Sequence, residues 1–411
     1  MSNLDTYFLF LVAIIAGWLF GRVNLFGRKP KKTVNGNLFE DYFVGLNYLL
    51  NDEPDEAIDT FINALEINSE TIETHLALGA LLRRRGKVDK AINVHQALLA
   101  RPGLSKRLDV QALLARPGLS KEFSDSTRLQ LSLNYIAAGL LDRAERLSNE
   151  LLVENSPAKW AALEQLITIY QTEKEWEKAI EASEALLRNP ANKKDDRKKG
   201  AAAHYCCELA EQQLQANQQN KAREQIKRAF GFDRHSIRAA LLLARLEQLS
   251  GNQKAAIKEL SKIIGSHPEF IPQTLPLLHG CYKESKSSED YEKKLEKILG
   301  ACQDITVALA YAEQLKHNHN DDKAIQFLNS FLESRSSISG VLELLQLYMP
   351  GFDDKVSQKF DSLKTQLEEL ILNTAAFRCN HCGYELKTPH WMCPSCKNWD
   401  RVKPITEGNG H

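Results

Sequence analysis

Four cysteines near the C-terminus have the spacing of a metal site. The segment CNHCGYELKTPHWMCPSC contains two Cys-x-x-Cys pairs that ten residues separate. Two thiolates three positions apart can grip one metal ion from a tight turn, and two such turns supply a tetrahedral set of four ligands. The glycine of CGY favours the turn that points backbone amides at the sulfurs. We therefore predict that Cys379, Cys382, Cys393 and Cys396 bind one ion, and zinc and iron are both candidates because both accept four thiolates.

A redox centre is the alternative to a structural metal clip. The segment 377–407 is too short to bury a core of its own, so a metal ion would substitute for one. An electron carrier also needs an electron partner, yet the sequence contains no flavin or nicotinamide motif. We therefore favour a structural clip that holds a small ribbon on the end of the preceding helices. Trp391 and Trp399 are expected to pack between the ribbon and those helices.

No other catalytic signature occurs in the sequence. The chain lacks the phosphate-binding loop GxxxxGK[ST], the GxSxG elbow, the HExxH pair and the GxGxxG fingerprint. Its many carboxylates lie beside lysine and arginine at helical spacing, which is typical of solvated, salt-bridged helix faces. We therefore predict that the protein is not an enzyme. Its 53 basic and 53 acidic residues cancel, which argues against nucleic acid as a partner.

The N-terminal segment has the composition of a membrane anchor. Sixteen uncharged residues lie between Asp5 and Arg22, at the short end of what spans a bilayer. An acidic residue precedes this run and no convincing small-residue cleavage site follows it, which distinguishes it from a signal peptide. Basic residues come next, and the positive-inside rule places them in the cytoplasm. We predict an uncleaved transmembrane anchor at 1–23, a basic juxtamembrane linker at 24–36 and a cytoplasmic location for the rest.

The body of the chain repeats itself. Gly45 and Gly79 are 34 residues apart, and so are Ala57 and Ala91. The alanine position recurs further along, with Tyr291 as its equivalent before the last one, at Ala144, Ala179, Ala222, Ala256 and Ala324. The pattern resembles the tetratricopeptide repeat and predicts about eight helix pairs over 37–336, followed by terminal helices over 337–376.

The repeat pattern predicts an all-α fold class. Each helix pair has apolar residues on two faces and must stack on its neighbours to bury them, which produces a superhelix. The concave surface of such an array is the usual binding place for a segment of another protein. The full expectation is therefore a tetratricopeptide-repeat superhelix with an N-terminal transmembrane helix and a small C-terminal metal ribbon.

One irregularity interrupts the repeats. The segment QALLARPGLSK occurs twice, at 96–106 and at 111–121. An offset of fifteen residues is not a repeat unit, so we interpret the extra copy as a recent local duplication or a sequence artefact. A proline follows the apolar stretch in each copy. We expect the extra copy to form a short helical turn and a loop outside the helix stack.

These parts together resemble the lipopolysaccharide assembly protein B family. The resemblance covers nearly the full chain: an anchor, a tetratricopeptide array and the rubredoxin-type ribbon FRCNHCGYELKTPHWMCPSCKNWDRVKPI. The phrases AGLLDRAE at 138–145 and HWMCPSCKNW at 390–399 look particularly similar. The duplication departs from the family. The gap of ten residues between the cysteine pairs is short compared with true rubredoxins, which weighs against one-electron redox activity.

The resemblance implies a non-enzymatic adaptor in the bacterial inner membrane, single-pass, with the bulk of the chain facing the cytoplasm. Such an adaptor promotes proteolysis of the lipid A pathway deacetylase by a membrane-anchored AAA+ protease, and another inner-membrane regulatory protein opposes it. The metal ligands of the family carry over to the four cysteines of the ribbon. Two alternatives stay open: a rubredoxin-like electron-transfer protein and a general scaffold for envelope assembly enzymes. A homodimer also stays open.

Overall fold

The computed structural model describes residues 72–99, 119–349 and 354–405, together with the helical positions 44, 45, 47, 48, 56 and 60. The predicted anchor, the basic linker, most of the first predicted helix pair and most of the duplicated segment lie outside the described residues. Within the described ranges, no helix combines the length and the apolar character that a membrane crossing requires. The chain divides into two compact units, Met1–Ala158 and Lys159–His411.

Within 72–99 and 119–158, the described ranges of the first unit form two helix pairs. Their helices are α1 (Ile72–Arg84), α2 (Val88–Leu99), α3 (Leu119–Ala137) and α4 (Leu141–Val153). Helix α3 begins in the last three residues of the second copy of the duplicated segment, and α2 contains the first four residues of the first copy. Asp125, one turn further on, is buried and accepts a hydrogen bond from Ser156. The rest of both copies lies in 100–118, outside the described residues, so the expectation of a loop outside the stack stays a prediction.

Gly79 shows why a small residue recurs in the first helix of a pair. A Cβ atom at this position would lie 2.3 Å from Nε2 of His95, a side chain of α2. The imidazole of His95 is fully buried and its Nδ1 lies 2.7 Å from the side-chain nitrogen of Asn134 on α3. Burial lowers the pKa of His95 to about 4, so the ring is neutral at physiological pH. The missing side chain at Gly79 thus makes room for a buried polar contact.

The second unit continues the pairs and ends in the ribbon. Its paired helices are α5 (Lys159–Glu173), α6 (Trp176–Leu187), α7 (Asp196–Gln215), α8 (Gln219–Phe232), α9 (Ile237–Leu249), α10 (Gln253–Ser266), α11 (Ile271–Glu284), α12 (Ser288–Ala301), α13 (Ile305–Asn318) and α14 (Asp321–Ser334). A 3-10 turn at Pro268–Phe270 precedes α11. The terminal helices are α15 (Ile338–Tyr348) and α16 (Asp354–Asn373), close to the stretches in which the sequence predicts them.

The recurring alanine occupies the same place in every second helix for which it is described. It is the fourth residue of α2, α4, α6, α8, α10 and α14, and it is fully buried in all six: Ala91, Ala144, Ala179, Ala222, Ala256 and Ala324. Tyr291 is the fourth residue of α12 and is also buried, which confirms its equivalence. A methyl group at this position lets the two helices of a pair approach closely.

Enlarging this alanine should destabilise the array. We expect Ala256→Leu to lower the free energy of unfolding by about 1–3 kcal/mol, because the added atoms overpack a fully buried site. Ala255→Leu is the matched control, since Ala255 is the preceding residue of the same helix and is exposed, and its effect should stay within about 0.5 kcal/mol. Urea denaturation followed by helical circular dichroism measures both. Equal losses in the two variants would contradict the assignment of this position.

The first helices of the pairs in the second unit lie side by side in one layer. Consecutive first helices contact one another from α7 through α9, α11 and α13 to α15. Helix α5 joins this layer through a 2.8 Å hydrogen bond from the Tyr205 hydroxyl of α7 to Oε1 of Gln171. Each second helix from α6 to α14 packs against the first helix of the following pair. We call α5, α7, α9, α11, α13 and α15 the first-helix layer.

The ribbon follows α16 and is a small antiparallel sheet. Its strands are β1 (Phe377–Cys379), β2 (Glu385–Leu386) and β3 (Val402–Pro404), in the order β2-β1-β3. Phe377 pairs with Leu386 on one side and with Pro404 on the other. The predicted fold class is thereby confirmed for the described residues: helix pairs of the tetratricopeptide type with a small C-terminal ribbon.

Candidate metal centre

Each Cys-x-x-Cys pair sits in a tight turn of the same construction. In the first turn the Gly383 amide donates to the Cys379 carbonyl at 2.9 Å, and in the second the Lys397 amide donates to the Cys393 carbonyl at 2.9 Å. The residue after the second cysteine has a left-handed backbone in both turns, with φ of 76° at Gly383 and 57° at Lys397. The sequence reveals this requirement only at the glycine, because lysine there carries no such signal.

The two turns bring the four cysteine sulfurs together. All four Sγ atoms lie within 4.8 Å of one another. The Cys379–Cys396 and Cys382–Cys393 sulfurs are each separated by 3.7 Å. This spacing is far longer than a disulfide bond of about 2.05 Å. It matches the edge of roughly 3.8 Å that four ligands at about 2.3 Å from one zinc ion would form. The cluster could therefore hold one metal ion.

The four thiols differ in their surroundings. Cys379 and Cys393 are buried, Cys396 is half-buried and Cys382 is exposed. Hydrogen bonds from the side chain and backbone of Asn398 lower the pKa of Cys396 to about 5, which favours the thiolate. Burial raises the pKa of Cys393 to about 11. A thiol with so high a pKa stays protonated at neutral pH, and it loses its proton when a cation binds beside it.

The left-handed turn positions predict opposite effects for two substitutions. A Cβ atom at Gly383 would meet no other atom within 4 Å, so Gly383→Ala costs only the backbone strain, about 1 kcal/mol. We expect this variant to bind zinc roughly fivefold more weakly. Lys397→Gly should bind zinc as tightly as the unaltered chain or more tightly, because glycine relieves the strain at the matching place. Competition with a chelator measures both affinities, and a loss in Lys397→Gly would contradict the account.

The sequence-based prediction that the ribbon rests on the last helices is wrong. The ribbon packs against the first half of the first-helix layer, on α5, α7, α9 and the turn before α11. Its β3 residue Lys403 lies 3.8 Å from the carboxylate of Glu269 and 4.8 Å from the ring centre of Phe270. The ribbon follows α16 in the sequence, but its apolar surface packs against helices about 200 residues earlier. The contact between His204 and Asp400, for example, joins residues 196 positions apart.

Trp399 and Asp400 form one half of this contact. The Trp399 ring stacks on the buried His204 imidazole with centres 4.6 Å apart and an interplanar angle of 13°. Its indole N–H donates to Oε1 of Gln171 at 3.1 Å. Next to it, His204 Nε2 donates to the Asp400 carboxylate at 2.7 Å. The expectation that Trp399 packs between ribbon and helices is confirmed.

Trp391 forms the other half. Its ring stacks on Phe270 with centres 5.6 Å apart and an interplanar angle of 8°. The Arg238 guanidinium lies 5.8 Å from the Trp391 ring centre and 6.0 Å from the Trp399 ring centre. Trp391 is therefore confirmed as the second packing residue, and one buried cation contacts both indole rings.

Arg238 is a buried charge that the helices themselves neutralise. Its side chain is 4% exposed and lies 2.9 Å from the Glu208 carboxylate and 3.0 Å from that of Glu211. Burial disfavours its charge, but the two carboxylates outweigh burial and raise the pKa of Arg238. Both glutamates lie on α7 and the arginine on α9, so this ion pair also joins two helices of the first-helix layer.

Comparison with known proteins follows the same division of the chain. Residues 377–404 match a family described as "Rubredoxin metal binding domain", and residues 74–107 match a tetratricopeptide repeat. Lipopolysaccharide assembly protein B of Escherichia coli strain K12 is 29% identical over 407 residues, 98% of each chain. The protein of the same name from Haemophilus influenzae is 31% identical over 414 residues, again 98% of each chain. The chain belongs to the lipopolysaccharide assembly protein B family.

Membership of this family confirms the resemblance seen in the sequence. The ribbon match contains all four cysteines, so the candidate metal centre lies inside the part of the chain that the rubredoxin-type description covers. A solved tetratricopeptide repeat protein from Parabacteroides merdae is 15% identical, covers 68% of this chain and 99% of its own, and has a TM-score of 0.33. The assignment to the lipopolysaccharide assembly protein B family therefore rests on the full-length relatives.

Sequence reasoning missed the helix residues that receive the ribbon. Gln171, His204 and Arg238 lie on three different helices and share no motif. One signal was present: Arg238 is a single charge near the start of the apolar run IRAALLLA, where a buried cation needs a partner. His204 in AAAHYCC carries a weaker signal of the same kind, a polar ring among small and buried residues.

Proposed function

We propose that Cys379, Cys382, Cys393 and Cys396 hold one zinc or iron ion whose role is structural. The 3.7 Å sulfur separations support the binding of one ion. The small ribbon core, whose buried apolar members are Cys379, Leu386 and Cys393, supports a structural role for it. A bound ion would supply the cross-link between the two turns that such a core cannot supply. It would also fix Trp391 and Trp399, which flank the second turn.

We further propose that the protein is a non-enzymatic adaptor in the control of lipopolysaccharide synthesis. The observation that carries this proposal is the similarity over 98% of the chain to relatives named lipopolysaccharide assembly protein B. A stack of helix pairs presents long surfaces to other proteins, which suits an adaptor. The absence of a catalytic signature in the sequence agrees with it.

The finer proposal concerns partners and place. The adaptor brings the lipid A pathway deacetylase to a membrane-anchored AAA+ protease, and another inner-membrane regulatory protein opposes it. The segment 1–23 anchors the chain in the inner membrane, with the helix pairs and the ribbon in the cytoplasm. Anchoring raises the local concentration of the adaptor near the protease without any new contact, which compensates for weak client binding.

The role of the anchor can be tested by removing it. A chain without residues 1–23 should control deacetylase levels at least tenfold less efficiently than the full chain at equal expression, because it loses that local concentration. Quantitative immunoblotting of the deacetylase in a host lacking the natural copy gives the comparison. Equal control by the two chains would overturn the anchored mechanism.

Electron transfer is the second candidate, and the exposure of Cys382 favours it, since an exposed ligand gives electrons a path to the metal. Elemental analysis and voltammetry of protein purified from its native host separate the two roles. Zinc supports the structural role, whereas iron with a reversible couple supports electron transfer. A general scaffold for envelope assembly enzymes differs from the adaptor only in its partners, which cross-linking in cells followed by mass spectrometry identifies.

A further inference from the structure

The ribbon segment Trp399-Asp400 sits in the first-helix layer as a bound peptide would. Its aromatic ring stacks on His204, its indole N–H donates to Gln171, and its carboxylate accepts from His204. An aromatic side chain followed by an acidic one is thus recognised by a flat ring, an amide oxygen and an imidazole N–H. These contacts depend on the types of the two bound residues and not only on their shape.

The helices would keep this acceptor surface in shape without the ribbon. Arg238 is held by the two glutamates of α7, the Tyr205 hydroxyl donates to Gln171, and the Tyr205 ring stacks on Trp176 with centres 6.0 Å apart. All of these contacts run between helices. A surface that its own scaffold holds in place binds a segment without a large ordering cost.

His204 has a hydrogen-bonding group that the ribbon does not use. Its side chain is 3% exposed, and its Nδ1 atom has no hydrogen-bond partner among the described residues. A buried polar atom without a partner is costly, so the ribbon leaves the hydrogen-bonding capacity of His204 only partly satisfied.

The hold of the ribbon on this surface depends on the second cysteine turn. Trp391 stands two residues before Cys393, and Trp399 stands three residues after Cys396. The ribbon has a very small core, so the two rings keep their positions only while the turn between them keeps its shape. Loss of the metal would free both tryptophans together, and loss of the tryptophan contacts would in turn weaken the hold on the metal.

We propose that the faces of α5, α7, α9 and the Pro268–Phe270 turn toward the ribbon form a docking site for a protein segment with an aromatic residue followed by an acidic one. The metal-loaded ribbon occupies this site and competes with such a segment. Binding of the partner segment therefore weakens binding of the metal, and binding of the metal weakens binding of the partner segment. This inference rests on the proposed adaptor role only in that the helix pairs bind another protein, and its tests do not involve lipopolysaccharide.

The first test measures whether docking and metal loading are coupled. The full chain is loaded with zinc, and release to a chromogenic chelator is followed with time. His204→Ala should release zinc at least tenfold faster than the unaltered chain, and Asp400→Asn, an exposed change on the ribbon itself, should also accelerate release. Arg223→Ala is the control, because Arg223 pairs with Glu247 away from these contacts. Release from His204→Ala and Asp400→Asn within twofold of the unaltered chain would overturn the coupling.

The second test measures competition for the site. The probe is a fluorescein-labelled peptide of residues 389–401 with Cys393→Ser and Cys396→Ser, titrated into the full chain and followed by anisotropy. The chain stripped of zinc should bind it at least tenfold more tightly than the zinc-loaded chain. A peptide that also carries Trp399→Ala and Asp400→Asn should bind the stripped chain at least tenfold more weakly. Equal binding by loaded and stripped chains, or no binding to the stripped chain, would overturn the docking site. Neither result would bear on the role in lipopolysaccharide synthesis.

Discussion

Cys382→Ser should empty the metal centre and release the ribbon from the helices while the helix pairs stay folded. Three thiolates and a hydroxyl bind zinc or iron far more weakly than four thiolates, and the ribbon has almost no core to hold it without the ion. Trp391 and Trp399 would then move into water. The helix pairs should persist, because each depends mainly on its neighbours.

Three measurements on one sample follow this result. Elemental analysis should show less than a tenth of the metal of the unaltered chain, intrinsic tryptophan fluorescence should shift to longer wavelength, and helical circular dichroism should be nearly unchanged. Cys302→Ser is the matched control, since Cys302 lies outside the cluster and its sulfur donates to the Ile298 carbonyl, a hydrogen bond that a serine hydroxyl can also make. Collapse of the helical signal in Cys382→Ser would show instead that the ribbon supports the whole array.

Arg238→Ala should be among the most destabilising single changes in the second unit. It removes a 4% exposed cation and leaves the carboxylates of Glu208 and Glu211 without their countercharge. Breaking a buried ion pair costs about 3–5 kcal/mol, and the lower end applies because the two carboxylates are themselves about a third exposed. We therefore expect a loss of about 3 kcal/mol in the free energy of unfolding.

Chemical denaturation with circular dichroism detection measures this loss, and Arg223→Ala calibrates it. Arg223 is 35% exposed and pairs with Glu247 on the adjoining helix, so removing it should cost at most about 1 kcal/mol. Arg238→Ala should also shift the tryptophan fluorescence to longer wavelength, because both indole rings lose the cation that lies 5.8 Å from one ring centre and 6.0 Å from the other. A cost for Arg238→Ala no larger than that for Arg223→Ala would show that the buried pair contributes little.

The parts of the structure that local sequence determines could be predicted. The alanine at the fourth position of each second helix is visible because its spacing follows the repeat, and its burial confirms what that spacing implies. The two cysteine turns could also be predicted, because each Cys-x-x-Cys motif spans only four residues. One feature of these turns could not be predicted. Lys397 has the same left-handed backbone as Gly383, but only the glycine indicates that conformation in the sequence.

The position of the ribbon could not be predicted, because it depends on contacts between distant parts of the chain. Gln171 and Trp399 are 228 residues apart, and His204 and Asp400 are 196 apart. Nothing in a single sequence marks such pairs as partners. The prediction that the ribbon rests on the last helices was based on its place in the chain. The ribbon instead packs on earlier helices that present aromatic rings and a buried arginine to it.

The lifetime of the lipid A pathway deacetylase tests the central claim most directly. Synthesis is blocked in cells that contain the full chain, lack it, or contain Cys382→Ser at equal level, and the remaining deacetylase is followed with time. The account predicts rapid decay with the full chain, at least several-fold slower decay without it, and slow decay with Cys382→Ser. The same decay rate with and without the full chain would contradict the adaptor role.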